Sequence, residues 1–182
     1  MPPALCVMPL PARLNKDLLF HIIHNMNKSM KGKMKNLFDK PAFDEIVERI
    51  NKLSPGSQRQ WGKMNVDQML AHCVISLQAA SGEKYFPPRL IGKLIGRFLK
   101  FTIMKERPVP KNSPTNPAFV ITETAGFEKE KERLLQLVNN FHTGGEAKCT
   151  TNPHSFFCKL TPVQWGTLMY KHLDHHLKQF GV

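Results

Sequence analysis

Three histidines carry the clearest chemistry in this chain. His172 and His176 stand four residues apart near the C-terminal end. In a helix, residues at that spacing lie one above the other on the same face, so both imidazoles can reach one metal ion. His72 sits in the middle of an otherwise apolar stretch that also reads as helix. Three imidazoles from facing helices would leave coordination positions open for water or substrate, which separates catalytic metal sites from closed structural ones. The expected cofactor is a divalent transition metal (Zn, Ni or Fe), since imidazole does not choose among them. His175, about 60° round the helix from His172, is held in reserve.

The chemistry such a site would perform is activation of bound water or a thiol near neutral pH. No general base stands out. No glutamate follows His172 as it does in H-E-x-x-H proteases, and Asp174 projects about 200° away from it, toward solvent. Tyr170 and Asp67 are weaker candidates because their helical faces do not converge on the site. Gln68, one turn before His72, could orient that imidazole from behind. Its place in a helix-capping motif accounts for it equally well. The rival reading is a non-catalytic helical bundle that binds a partner or small ligand, with the histidines structural.

The elements that must position these residues are helices. Phe43, Ile46, Val47 and Ile50 repeat at helical spacing, with Asp39 and Pro41 at the entrance and Pro55-Gly56 beyond the end. A second helix starts at Asn65, which forms a capping box with Gln68, and runs to about Ala80 before Gly82. Its inward stripe reads Gln68, Met69, His72, Ile75 and Ala79. A third amphipathic stretch covers about Pro88 to Lys105. Pro108 to Pro117 holds four prolines and is expected to be a loop or lid over one end of the fold. A further helix covers about Ala125 to Phe141, with Phe127, Leu134, Val138 and Phe141 inward and Gly144-Gly145 as its stop. The last helix has Thr161 as cap, Pro162 in the first turn and Gln164 closing the box. Trp165, Leu168, Met169, His172, His176 and Phe180 then run down one face. Four or five amphipathic helices without a strand pattern make an all-α chain, a four-helix bundle with short extra helices.

Composition narrows the setting. The 182 residues, 41% hydrophobic, suit one domain with a substantial core. Lysine and arginine outnumber the acids 26 to 14, a net charge of +12, but they are scattered without a dense basic block or a basic-aromatic alternation. Nucleic acid is therefore disfavoured as a partner, and a small-molecule substrate is expected. Cys6, Cys73, Cys149 and Cys158 make no paired framework, which points to a reducing cytoplasmic setting. Cys149, His154 and Cys158 do not match a zinc spacing. No apolar run is long enough for a membrane-spanning helix. Residues 1–33 are rich in methionine and proline and read as an irregular leader or an upstream start, with the folded domain over residues 34–182.

Trp61-Gly62-Lys63-Met64, Gln68-Met69-Leu70-Ala71-His72, and Leu160-Thr161-Pro162 through Trp165-Gly166 to Lys171-His172-Leu173-Asp174-His175-His176-Leu177-Lys178-Gln179-Phe180-Gly181 carry a resemblance. Over roughly Met34 to Val182 the chain resembles a family of domains of unknown function, number fifteen sixty-nine, within the DinB-like superfamily. The resemblance implies a DinB-like four-helix bundle and a divalent metal held by His72, His172 and His176. It also implies a homodimer, and an activity as thiol transferase with a low-molecular-weight thiol or as hydrolase. The chain departs from the commoner tail, with Leu177 and Lys178 after His176 in place of arginine and glycine.

Overall fold

A computed structural model of the chain describes residues 34–88, 96, 100, 101, 104–113 and 115–182. The leader expected over residues 1–33, and most of the amphipathic stretch expected from Pro88 to Lys105, lie outside the described residues. Among the described residues there are four α-helices: α1 (Lys40–Lys52), α2 (Val66–Ser81), α3 (Phe127–Gly144) and α4 (Pro162–Gln179). Two 3-10 turns, Pro117–Phe119 and Glu146–Lys148, supplement them. No strand occurs among these residues, and His154 and Cys158 form an isolated antiparallel bridge. The fold is the all-α helical bundle expected from the sequence.

Both capping boxes read from the sequence form. Asn65 accepts from Gln68 N at 2.8 Å while Gln68 Oε1 accepts from Asn65 N at 3.0 Å. Thr161 and Gln164 exchange the same pair of bonds at 3.3 and 3.0 Å. Each box satisfies two N–H groups that a helix start otherwise leaves orphaned. α2 ends at Gly82, whose φ of 82° is the left-handed conformation that glycine adopts without steric cost.

Each helix packs on two neighbours. α1 and α2 both lie against α3 and α4, with the α2–α3 contact the most extensive. Leu37, Ile46, Ile50, Met69, Leu70, Leu77, Leu134, Trp165, Leu173 and Leu177 are almost completely withdrawn from solvent at the centre. The expected inward stripe of α2 needs correction. Ile75 and Ala79 are only partly buried, whereas Leu70, Cys73, Val74 and Leu77 join the core. α2 is covered around most of its circumference, so the single-stripe pattern of a surface helix does not describe it.

The segment before α1 is fastened to α4 at Gly166. Leu37 N donates to the Gly166 carbonyl at 3.1 Å, and Asn36 Nδ2 donates to the Val163 carbonyl at 2.9 Å. A side chain at Gly166 would press on Asn36 and Phe38, so glycine here permits the close approach. At the other end of α4, Arg49 of α1 bonds Asp174 Oδ1 at 2.8 Å and the main-chain oxygens of Asp174 and Val182 at 3.3 and 2.9 Å. These two ties fix the ends of the helix that carries His172 and His176.

Candidate metal centre

His72 comes from the middle of α2, and His172 and His176 from successive turns of α4. One ligand atom from each lies within 4.8 Å of the others, so the group could hold a metal ion. Nε2 of His72 and Nε2 of His172 are 3.0 Å apart. Two nitrogens bound to one ion at about 2.0–2.1 Å would stand roughly 3 Å apart, so this edge suits a shared ion. Without an ion, one nitrogen donates its proton to the other.

Neighbouring groups decide which nitrogens are free to bind. The Phe119 carbonyl lies 2.9 Å from His72 Nδ1. A carbonyl only accepts, so Nδ1 carries the proton and the lone pair sits on Nε2. Asn116 holds that carbonyl in place, because its side chain accepts from Ala118 N at 3.1 Å and caps the turn Pro117–Phe119. For His176 the argument runs through Gln179. The Trp61 carbonyl accepts from Gln179 Nε2 at 2.8 Å, which orients the amide and turns Gln179 Oε1 toward His176 Nδ1 at 2.9 Å. Nδ1 of His176 therefore donates, and its Nε2 is free. His172 Nδ1 is buried without a protein hydrogen-bond partner, so no group behind this ring fixes its tautomer.

Burial keeps the three rings neutral. Loss of hydration pushes His72 down despite the opposing Phe119 carbonyl, and pushes His176 down to about 3 with help from His72. His172 falls well below the ordinary value, first through burial and then through His176 and His72. A neutral imidazole is the form that binds a metal. The donor set thus fits a divalent transition metal on charge and, for His72 and His176, on tautomer.

The other sequence candidates are placed differently. Gln68 serves the capping box, and its Nε2 donates to the Ile121 carbonyl at 3.1 Å. It thereby anchors the segment that presents Phe119 to His72. His175 is half-buried; its ring lies 5.1 Å from that of His176 and edge-on to Trp61 at 5.7 Å, and it bonds the main chain of Val109. Asp174, expected in solvent, is half-buried between Arg49 and Lys178, at 2.8 and 2.9 Å. Helical angle alone could not show that α1 would bring Arg49 to that face. Tyr170 donates to Glu45 at 3.1 Å, away from the histidines. Cys149, His154 and Cys158 form no metal-binding group, since among the described residues His72, His172 and His176 make the only one. Val109 of the proline-rich loop bonds His175, and Phe119, two residues beyond that loop, lies against His72. Gln179 was missed as a second contact of His176. The signal was its i+3 spacing from that residue, which places amide and imidazole on one face.

The family model described as "Protein of unknown function (DUF1569)" matches residues 30–181, nearly the whole described chain. The chain belongs to the DUF1569 family. No curated protein and no solved structure matches it. The three histidines of this DUF1569 chain lie inside the matched span, as do Phe119, Gln179 and Trp61. Among its described residues no helix is long and apolar enough to cross a membrane.

Proposed function

We propose that this DUF1569 protein is a metal-dependent enzyme of the DinB-like type, acting on a small-molecule substrate as a hydrolase or thiol transferase. His72, His172 and His176 would hold a divalent transition metal. The observation that carries the reading is the convergence of three neutral imidazoles, two of them tautomerically fixed from behind by Phe119 and Gln179. Such an ion supplies Lewis acidity that brings the proton of a bound water or low-molecular-weight thiol within reach of neutral pH.

The chain's own residues set the conditions for that chemistry. Three neutral ligands cancel none of the ion's charge, which favours deprotonation of whatever it binds. The Phe119 carbonyl and the Gln179 amide hold two ligands in register and raise their basicity. Asp174 is engaged with Arg49 and Lys178, which leaves proton removal to bulk base or to the substrate. A reducing, cytoplasmic setting belongs to the same proposal and rests on the cysteine usage of the sequence.

The test is elemental analysis of the tag-free full chain, purified without chelator, beside His172→Ala. One equivalent of a transition metal, lost in the variant, is expected. No metal in either protein after reconstitution would instead favour the structural reading, in which the 3.0 Å contact of His72 and His172 is an ordinary N–H···N hydrogen bond.

A further inference from the structure

Lys171 and His175 each stand one residue before a candidate ligand on α4, and both are tied to the same stretch of chain. Lys171 Nζ donates to the Lys105 carbonyl at 2.7 Å, and His175 bonds the main chain of Val109. Residues 104–113 are thereby fastened next to the turns of His172 and His176, and they bring Lys105, Arg107 and Lys111 with one acid, Glu106. Lys111 Nζ lies 4.4 Å from the centre of the Trp61 ring. Trp61 is in turn edge-on to His175 at 5.7 Å, and its carbonyl orients the Gln179 amide that contacts His176. Among the described residues no carboxylate pairs with Lys63, Lys105, Arg107 or Lys111. The ion pairs lie at Lys35, Lys40, Arg49, Lys52 and Lys178.

Resting on the metal reading above, we propose that the substrate is anionic and that Lys111 is the specificity-determining residue that pairs with its oxyanion group, a carboxylate or a phosphate. Two charge arguments converge on this. Three neutral imidazoles leave the charge of a divalent ion uncompensated, and no carboxylate belongs to their group. The segment fastened beside them adds three cations to one acid. A site lined by one sign of charge concentrates ligands of the other, and an anionic substrate neutralises both contributions. Lys111 is the cation that contacts Trp61, which joins it to the surroundings of His176. Resting over the ring restrains its ammonium while its N–H groups keep no protein acceptor, so pairing with an oxyanion orders little that is not already ordered.

The probes are β-mercaptopropionate and ω-mercaptohexanoate, each beside its own amide. The sulfur binds cobalt in all four, and within a pair only the charge of the far end differs. Two lengths allow for the reach of a lysine side chain. Each probe is titrated into the cobalt(II)-loaded full chain and followed by the sulfur-to-cobalt charge-transfer absorption. The wild type is expected to prefer carboxylate over amide in at least one pair. Lys111→Met is expected to lower that preference about three- to tenfold, and Lys111→Arg to keep it. Lys129→Met removes the same charge from an exposed position of α3 and should leave the preference unchanged. Absence of a preference in both pairs overturns the anionic substrate. A preference that survives in Lys111→Met, or that falls equally in Lys129→Met, overturns the assignment of Lys111. Failure of the wild-type chain to bind cobalt is the separate outcome that removes the metal reading itself, and this proposal with it.

Discussion

Gln179 holds His176 by an oriented amide: its Oε1 accepts from His176 Nδ1 at 2.9 Å because its Nε2 is fixed on the Trp61 carbonyl at 2.8 Å. The main-chain oxygen of Gln179 also accepts from Gln60 N at 2.7 Å. One residue thus joins the loop after α1 to a candidate ligand on α4. Gln179→Ala removes the side-chain links and keeps the main-chain one. The expected outcome is zinc affinity lower by about 10–100-fold, the usual cost of losing such a partner, measured by competition with a chromophoric chelator.

Two glycines in the quoted motifs make contrasting predictions. Gly62 has φ of 81°, and a Cβ there would come within 2.5 Å of Gln179 Nε2. Gly62→Ala should cost about 1–2 kcal/mol from the left-handed backbone and should weaken zinc binding by displacing Gln179. Gly166→Ala meets Asn36 and Phe38 instead, at 2.8 Å from Asn36 Cγ and Phe38 Cδ2. Its cost should be about 1–3 kcal/mol of overpacking, with the affinity of the protein that remains folded close to wild type. Urea melts and zinc titrations of both variants give the comparison.

His154 supplies a pH dependence separate from the candidate ligands. Its Nδ1 accepts from Phe156 N and Phe157 N at 3.0 and 3.3 Å, and its ring stacks on Phe157. Burial pushes it down from 6.5 to about 4. Between those values the unfolded chain binds the proton more readily than the folded one. The stabilisation is therefore complete above about pH 6.5 and is lost as the pH falls through about 4, by up to about 3 kcal/mol. His72, His172 and His176 are also lowered and act in the same direction. His154→Asn, whose Oδ1 can replace Nδ1 as acceptor, should flatten the decline between pH 6.5 and 4 in the metal-free protein. Equal slopes for variant and wild type in urea melts across that range would show that His154 is not a source of it.

How much of this could be read from the sequence depended on how local the determinants were. Asn65 with Gln68 and Thr161 with Gln164 are recognisable because a capping box is complete within four residues. The histidine faces follow from helical period, so the grouping of His72, His172 and His176 was legible before any packing was known. The surroundings of those rings were not. Phe119 reaches His72 from a turn 47 positions later, and Trp61 reaches Gln179 across 118. Neither contact has a periodic signature. The same holds for Asp174, whose partner Arg49 lies 125 residues away.

Metal removal should expose the cost of the cluster itself. In the metal-free protein the 3.0 Å contact gives His72 Nε2 a donor in His172, and the buried acceptor is satisfied. His172→Ala deletes that donor, so the metal-free variant should lose about 1–3 kcal/mol for an unpaired buried group. Metal then widens the gap. Zinc at a hundred times its dissociation constant stabilises the native wild-type chain by about 2.7 kcal/mol. In a domain of this size that is a rise in melting temperature of about 5–11 °C. His172→Ala should show little of that rise, because two imidazoles hold an ion far less tightly than three. Thermal melts of both proteins, with zinc and with chelator, give four midpoints. A zinc-dependent rise of the same size in both would mean that the stabilising ion binds elsewhere. A rise confined to the wild type would assign the stabilisation to the site at His172.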